Sequence, residues 1–142
     1  MNRKTDWVIH LVTNSVCDAC GKKETGFLPY LCNAHTHGME KYGHLNFQLV
    51  LALPCREIGR VLNTLGMRVR AGERFQAGDM VSGIYENCNV RLDKVQETGR
   101  QVLRVVIPDS ANRFPEDAQC ETPYRLQLLD TEALHRSGAA PA

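Results

Sequence analysis

Asn46-Phe47-Gln48-Leu49-Val50-Leu51-Ala52-Leu53-Pro54-Cys55-Arg56-Glu57-Ile58-Gly59-Arg60-Val61-Leu62-Asn63-Thr64-Leu65-Gly66 holds a change of periodicity. Asn46 to Leu53 is an almost continuous apolar run, which reads as a mostly buried strand. Pro54 suits the first turn of a helix, where its missing N–H costs nothing, and Glu57 lies near the positive end of the helix dipole. Ile58, Val61, Leu62 and Leu65 recur at i, i+3, i+4 and i+7, giving one apolar stripe. The spacing predicts a helix over about 54–65, closed by Gly66 in a left-handed cap. A buried strand followed by one amphipathic helix is the seed of an α/β layer.

Strands are expected on either side of this seed. Trp7 to Thr13 is rich in β-branched residues, and Phe27 to Leu31 begins a second strand that runs through Cys32 toward Gly38. The polar, glycine-bearing segment Asn14 to Gly26 reads as the loop between them. Beyond the helix, Met80 to Tyr85, Val90 to Val95 and Val102 to Ile107 read as three successive strands, with Glu86 to Asn89 and Glu97 to Gly99 as turns. Pro108 to Thr122 carries no periodicity, Tyr124 to Leu129 is a last strand candidate, and Thr131 to Leu134 a helical turn. The sum is an α+β fold, one domain over residues 1–136 with a mostly antiparallel sheet and one main helix, and a disordered tail over 137–142.

With 142 residues, 43% of them hydrophobic, the chain can bury roughly two thirds of its unfolded surface and needs no metal to own a core. Seventeen Lys and Arg against sixteen Asp and Glu leave a formal charge of +1, and aromatics are 6%. Both values argue against nucleic acid or a lipid surface as partner. The longest pure apolar run, Leu49 to Leu53, is far short of the ~20 residues that span a bilayer. No export signal is legible near the N-terminus, so the expectation is a reducing cytoplasm, where six cysteines are thiols or metal ligands.

Cys17, Cys20, Cys32 and His35 form C-x2-C, eleven intervening residues, then C-x2-H. Two short pairs joined by a loop is how a chain sets soft ligands around one tetrahedral ion, and zinc suits thiolate and imidazole together. The expected metal segment is 17–37, with one zinc on Cys17, Cys20, Cys32 and His35, and His37 as an alternative ligand. The strand assignment competes with this set. An extended Cys32 to His37 places Cys32 and His35 on opposite faces and His35 with His37 on one face, so four ligands require a bend at Cys32–Asn33. His35-Thr36-His37 is also the feature most like an active site, with Glu40 and His44 close in sequence. Cys120 could reach the metal if its loop folds back, Cys55 and Cys88 read as isolated thiols, and His10 reads as a packing residue.

Several short motifs resemble the bacterial family catalogued as domain of unknown function 4262. They are His37-Gly38-Met39 before the strand Phe47 to Leu53, Leu62-Asn63-Thr64-Leu65-Gly66, and Ala71-Gly72-Glu73-Arg74-Phe75 running to Gly78-Asp79. To these are added Val105 to Asp109 and Asn112-Arg113-Phe114-Pro115-Glu116-Asp117, where Arg113 reads as a clamp and Phe114 as a plug. The resemblance implies a small α+β domain and brings no reaction or ligand. The leading expectation is a zinc-binding module in which the ion orders a loop and the partner is an unknown protein or small molecule. The alternative is a small metalloenzyme with an open site at His35 and His37. A zinc-ribbon nucleic-acid binder ranks below both. Uncovered sheet edges leave room for pairing with a second copy.

Overall fold

A computed structural model describes residues 5–12, 27–97 and 99–134. Cys17, Cys20, the Asn14 to Gly26 loop and the 137–142 tail lie outside the described residues. Six strands form one sheet: β1 (Val8–Val12), β2 (Leu31–His37), β3 (Asn46–Leu51), β4 (Met80–Val81), β5 (Val90–Glu97) and β6 (Arg100–Val106). Their order is β1-β2-β3-β6-β5-β4, and every neighbouring pair is antiparallel except β3 with β6. The single main helix, α1 (Cys55–Arg70), lies in the crossover that makes that parallel pair. The chain is a single-domain α+β fold with a mostly antiparallel sheet.

Ile58, Val61, Leu62, Leu65 and Val69 are the buried stripe of α1, one turn longer than the spacing predicts. Gly66 does not end the helix. A Cβ there would sit 2.7 Å from Cε2 and Cζ2 of Trp7, so the glycine makes room for the indole and the helix runs on. Trp7 Nε1 also donates to Asn63 Oδ1 at 2.9 Å, and its Cβ lies 2.8 Å from where a Gly38 side chain would begin. The Leu62 to Gly66 and His37 to Met39 motifs therefore form one socket for Trp7. Termination falls instead at Ala71, with Gly72 at φ +111° and Arg68 and Arg70 in the last turn, favourable at the negative end of the dipole.

Three strand expectations are corrected. The second strand begins at Leu31, after a turn at Pro29–Tyr30, rather than at Phe27. The strand from Met80 is only two residues long, and Tyr124–Leu128 is a 3₁₀ turn rather than a strand. The side-chain amide of Gln127 takes the place of a strand partner there: its Nε2 donates to Ile107 O at 2.6 Å and its Oε1 accepts from Ile107 N at 2.8 Å. Thr131–Leu134 is the expected helical turn. In the Pro108 to Thr122 segment, both oxygens of Asp109 are taken by Arg113, through its backbone N–H and its Nε. Phe114 is half-buried under the Arg91 guanidinium, 5.2 Å from ring centre, rather than plugged into the core.

The two faces of the sheet differ in chemistry. One packs Leu49, Leu51 and Ala34 toward α1. On the other, direct cross-strand pairing aligns His10 with His35, His35 with Gln48, Gln48 with Arg104, and Arg104 with Asp93. One polar residue from each of five strands thus stands in a single row. The segment Tyr124–Leu134 covers the middle of this row, and among the described residues no buried side-chain polar atom lacks a partner.

Candidate metal centre

The site lies at the β1–β2 end of the polar row. Antiparallel register sets His10 directly opposite His35, and the two-residue period of β2 brings His37 to the same face. Ring centroids are 5.5 Å apart for His10 and His35, 4.6 Å for His10 and His37, and 4.9 Å for His35 and His37. One ring nitrogen from each of the three falls within 4.8 Å of the others. Among the described residues this is the group of histidine, cysteine or carboxylate side chains that could hold a metal ion.

A ring of polar groups stands behind the imidazoles. His35 Nδ1 lies 2.9 Å from Glu97 Oε2 and 3.1 Å from Asn33 Oδ1. Both are acceptors, so Nδ1 carries the proton and Nε2 keeps its lone pair. Asn33 is itself held by Gln48, whose Nε2 donates to Asn33 Oδ1 at 3.1 Å, and Gln48 Oε1 accepts from Arg104 Nε at 2.8 Å. Glu97 Oε1 accepts from Arg100 Nε at 2.8 Å, while Arg100 Nη1 donates to His37 Nδ1 at 3.3 Å and Nη2 to Thr36 O at 2.9 Å. Burial lowers His35 below the ordinary imidazole value against the pull of Glu97, and lowers His37 with help from Arg100 and His10. Neutral rings are the form that binds metal.

The row continues to Arg104, 1% exposed, whose guanidinium is satisfied by neutral acceptors: Gln48 Oε1, the Gln127 and Leu129 carbonyls, and Thr131 Oγ1. Burial without a carboxylate in hydrogen-bond contact pulls it down to about 10. A cavity of about 450 Å³ opens beside it, bounded by Asp93, Lys94, Gln127 and Asp130.

The sequence-expected ligands are only partly brought together. His35 and His37 meet, and His10, read from the sequence as a packing residue, joins them. Cys32 does not. It is fully buried, its Sγ 3.4 Å from Leu51 O, and burial pushes its thiol up to about 12. The register does slip by one residue between Leu31 and Ala34, where the bend was expected, but the strand stays extended, and Cys32 is not among the groups whose ligand atoms converge. Cys120 is buried in its own loop with Sγ 3.4 Å from Arg113 O. Glu40 accepts from Gly38 N and Asn46 Nδ2, and His44 Nε2 accepts from Phe75 N, so both serve local structure. What marked out His10 was its place in a strand antiparallel to His35-Thr36-His37, and that register is not written in the residues alone.

Fold and site together define a small α+β domain with an imidazole cluster on the sheet face away from its helix. The chain belongs to the family described as a domain of unknown function, DUF4262, whose model matches residues 3–121. All three histidines, Glu97 and Arg100 lie inside the matched span. No curated protein and no solved structure matches the chain. No helix among the described residues is long and apolar enough to cross a membrane.

Proposed function

We propose that the protein is a zinc-binding protein whose ion sits on His10, His35 and His37 with a fourth position open, which is the arrangement of a small metalloenzyme. The observation that carries this is the convergence of three ring nitrogens within 4.8 Å, one of them backed by a buried carboxylate. Nitrogens on one tetrahedral zinc lie roughly 3.4 Å apart for bonds of about 2.0–2.1 Å, so the rings must close slightly, and the exposed His10 is the member free to do so. Closed structural sites use four protein ligands, whereas three plus water is the catalytic pattern. With the ion bound, water at the open position would be acidified to a pKa of about 7 and serve as a nucleophile. Glu97 would orient His35 through Nδ1, as outer-shell carboxylates do. A reducing, cytoplasmic setting belongs to the same reading, since Cys32, Cys55, Cys88 and Cys120 are all free thiols.

Metal analysis of untagged protein tests this. One zinc per chain is expected in the wild type, lost in His10→Ala, His35→Ala and His37→Ala, and bound about 10- to 100-fold more weakly in Glu97→Gln. Cys17→Ser should keep its metal. Wild-type protein that takes up no zinc overturns the reading, and loss of the ion from Cys17→Ser with retention in His10→Ala would move it to the cysteine loop.

A further inference from the structure

We infer that the fourth ligand at this centre is an oxyanion and that Arg100 is the residue that recognises it; the inference rests on the metal reading above. A guanidinium offers only donors and stays protonated. The 3.3 Å contact from Arg100 Nη1 therefore makes His37 Nδ1 an acceptor, and in the neutral ring the proton is on Nε2. The one lone pair that His37 could give a metal is already used.

Metal binding at His37 breaks that hydrogen bond by either route. If the ion takes Nδ1, Arg100 loses its acceptor to the metal. If the ion takes Nε2, the proton moves to Nδ1 and faces the donor of Arg100. The guanidinium itself has no reason to leave, because Nε stays on Glu97 at 2.8 Å and Nη2 on Thr36 O at 2.9 Å. Nη1 is left unsatisfied beside the coordination sphere.

Charge points the same way. Three neutral imidazoles do not offset a divalent ion, and the one carboxylate in the cluster, Glu97, is already engaged by His35, Asn33 and Arg100. An anion with two adjacent oxygens answers both needs, one oxygen on the metal and the other accepting from Nη1. The Arg100 side chain is 23% exposed and His10 lies at the surface, so such a ligand enters from solvent. Carboxylates, bicarbonate and phosphates share this chemistry.

The test uses the full chain, with Arg100→Met to remove the donor and Arg100→Lys to keep the charge. Zinc titration of metal-free protein should show tighter binding in Arg100→Met than in wild type, because the competing hydrogen bond and cation are gone. Cobalt(II)-loaded wild type titrated with acetate, bicarbonate or inorganic phosphate should show a change in its visible spectrum with at least one. That affinity should fall about 10- to 100-fold in Arg100→Met, the worth of one charge-assisted hydrogen bond, and by less in Arg100→Lys. Whichever anion binds tightest identifies the class. Wild type that takes up no metal overturns the centre and this inference with it. Metal-loaded wild type that ignores all three anions, or Arg100→Met that binds them as tightly, overturns the role of Arg100 alone.

Discussion

Glu97 meets three partners with two oxygens: His35 and Asn33 on Oε2, Arg100 on Oε1. Its position at the end of β5, only 4% exposed, means that this geometry is set by strand pairing rather than by loop conformation. A second carboxylate, Asp109, organises the loop after β6 in a comparable manner. Burial alone would raise it, but backbone N–H groups of Arg113, Glu121 and Ala111, with the Arg113 guanidinium, hold it at about 2. A carboxyl depressed in the folded state stabilises the fold above its unfolded pKa, and the contribution is lost as pH falls toward the folded value. Asp109→Asn should therefore melt below wild type at neutral pH, and the gap should close as pH falls from about 4 toward 2. Thermal melts across that range check it, and a gap constant with pH would contradict it. At this scale the residues were half legible. Alternation alone puts His35 and His37 on one face, whereas the slip in register beside Cys32 and the pairing that brings in His10 are not written in it.

The elements followed their periodicities where burial was one-sided. The apolar stripe of α1 named Ile58, Val61, Leu62 and Leu65 correctly because a helix against a sheet needs a stripe. Its end was misplaced because a glycine signals either a cap or a close approach, and only the partner, Trp7, distinguishes them. Tyr124–Leu128 has strand-like residues but becomes a 3₁₀ turn because the side chain of Gln127 satisfies Ile107. Gly66→Ala tests the socket. Its Cβ would meet the Trp7 ring at 2.7 Å in a helix that otherwise gains from alanine. The expected net loss is about 1–3 kcal/mol, a Tm drop of several degrees, measured by denaturant and thermal unfolding. An unchanged or raised Tm would mean that the indole yields without cost.

Across the whole molecule, the architecture was readable and the polar row was not. The one main helix and the antiparallel bias follow from local pattern, which offers one strand too many at Tyr124 to Leu129, whereas the line His10, His35, Gln48, Arg104, Asp93 exists only through register. Such a row gives one sheet two unlike faces, the helix side sealed by hydrocarbon and the other knitted by hydrogen bonds.

Among the described residues β1 is an outermost strand that pairs only with β2, tethered at one end by the socketed Trp7. His10 is the one member of the cluster carried by β1. An ion shared between His10 and the β2 pair is then also a rivet across the hairpin. By linkage, whatever favours the docked strand over the frayed one tightens the ion, and the ion in turn suppresses fraying. Amide exchange in Val8–Val12 should slow on adding zinc, while exchange in β5 and β6 stays unchanged. A uniform effect, or none in β1, would separate the ion from the hairpin. Metal occupancy would then be readable as the opening rate of a single edge strand.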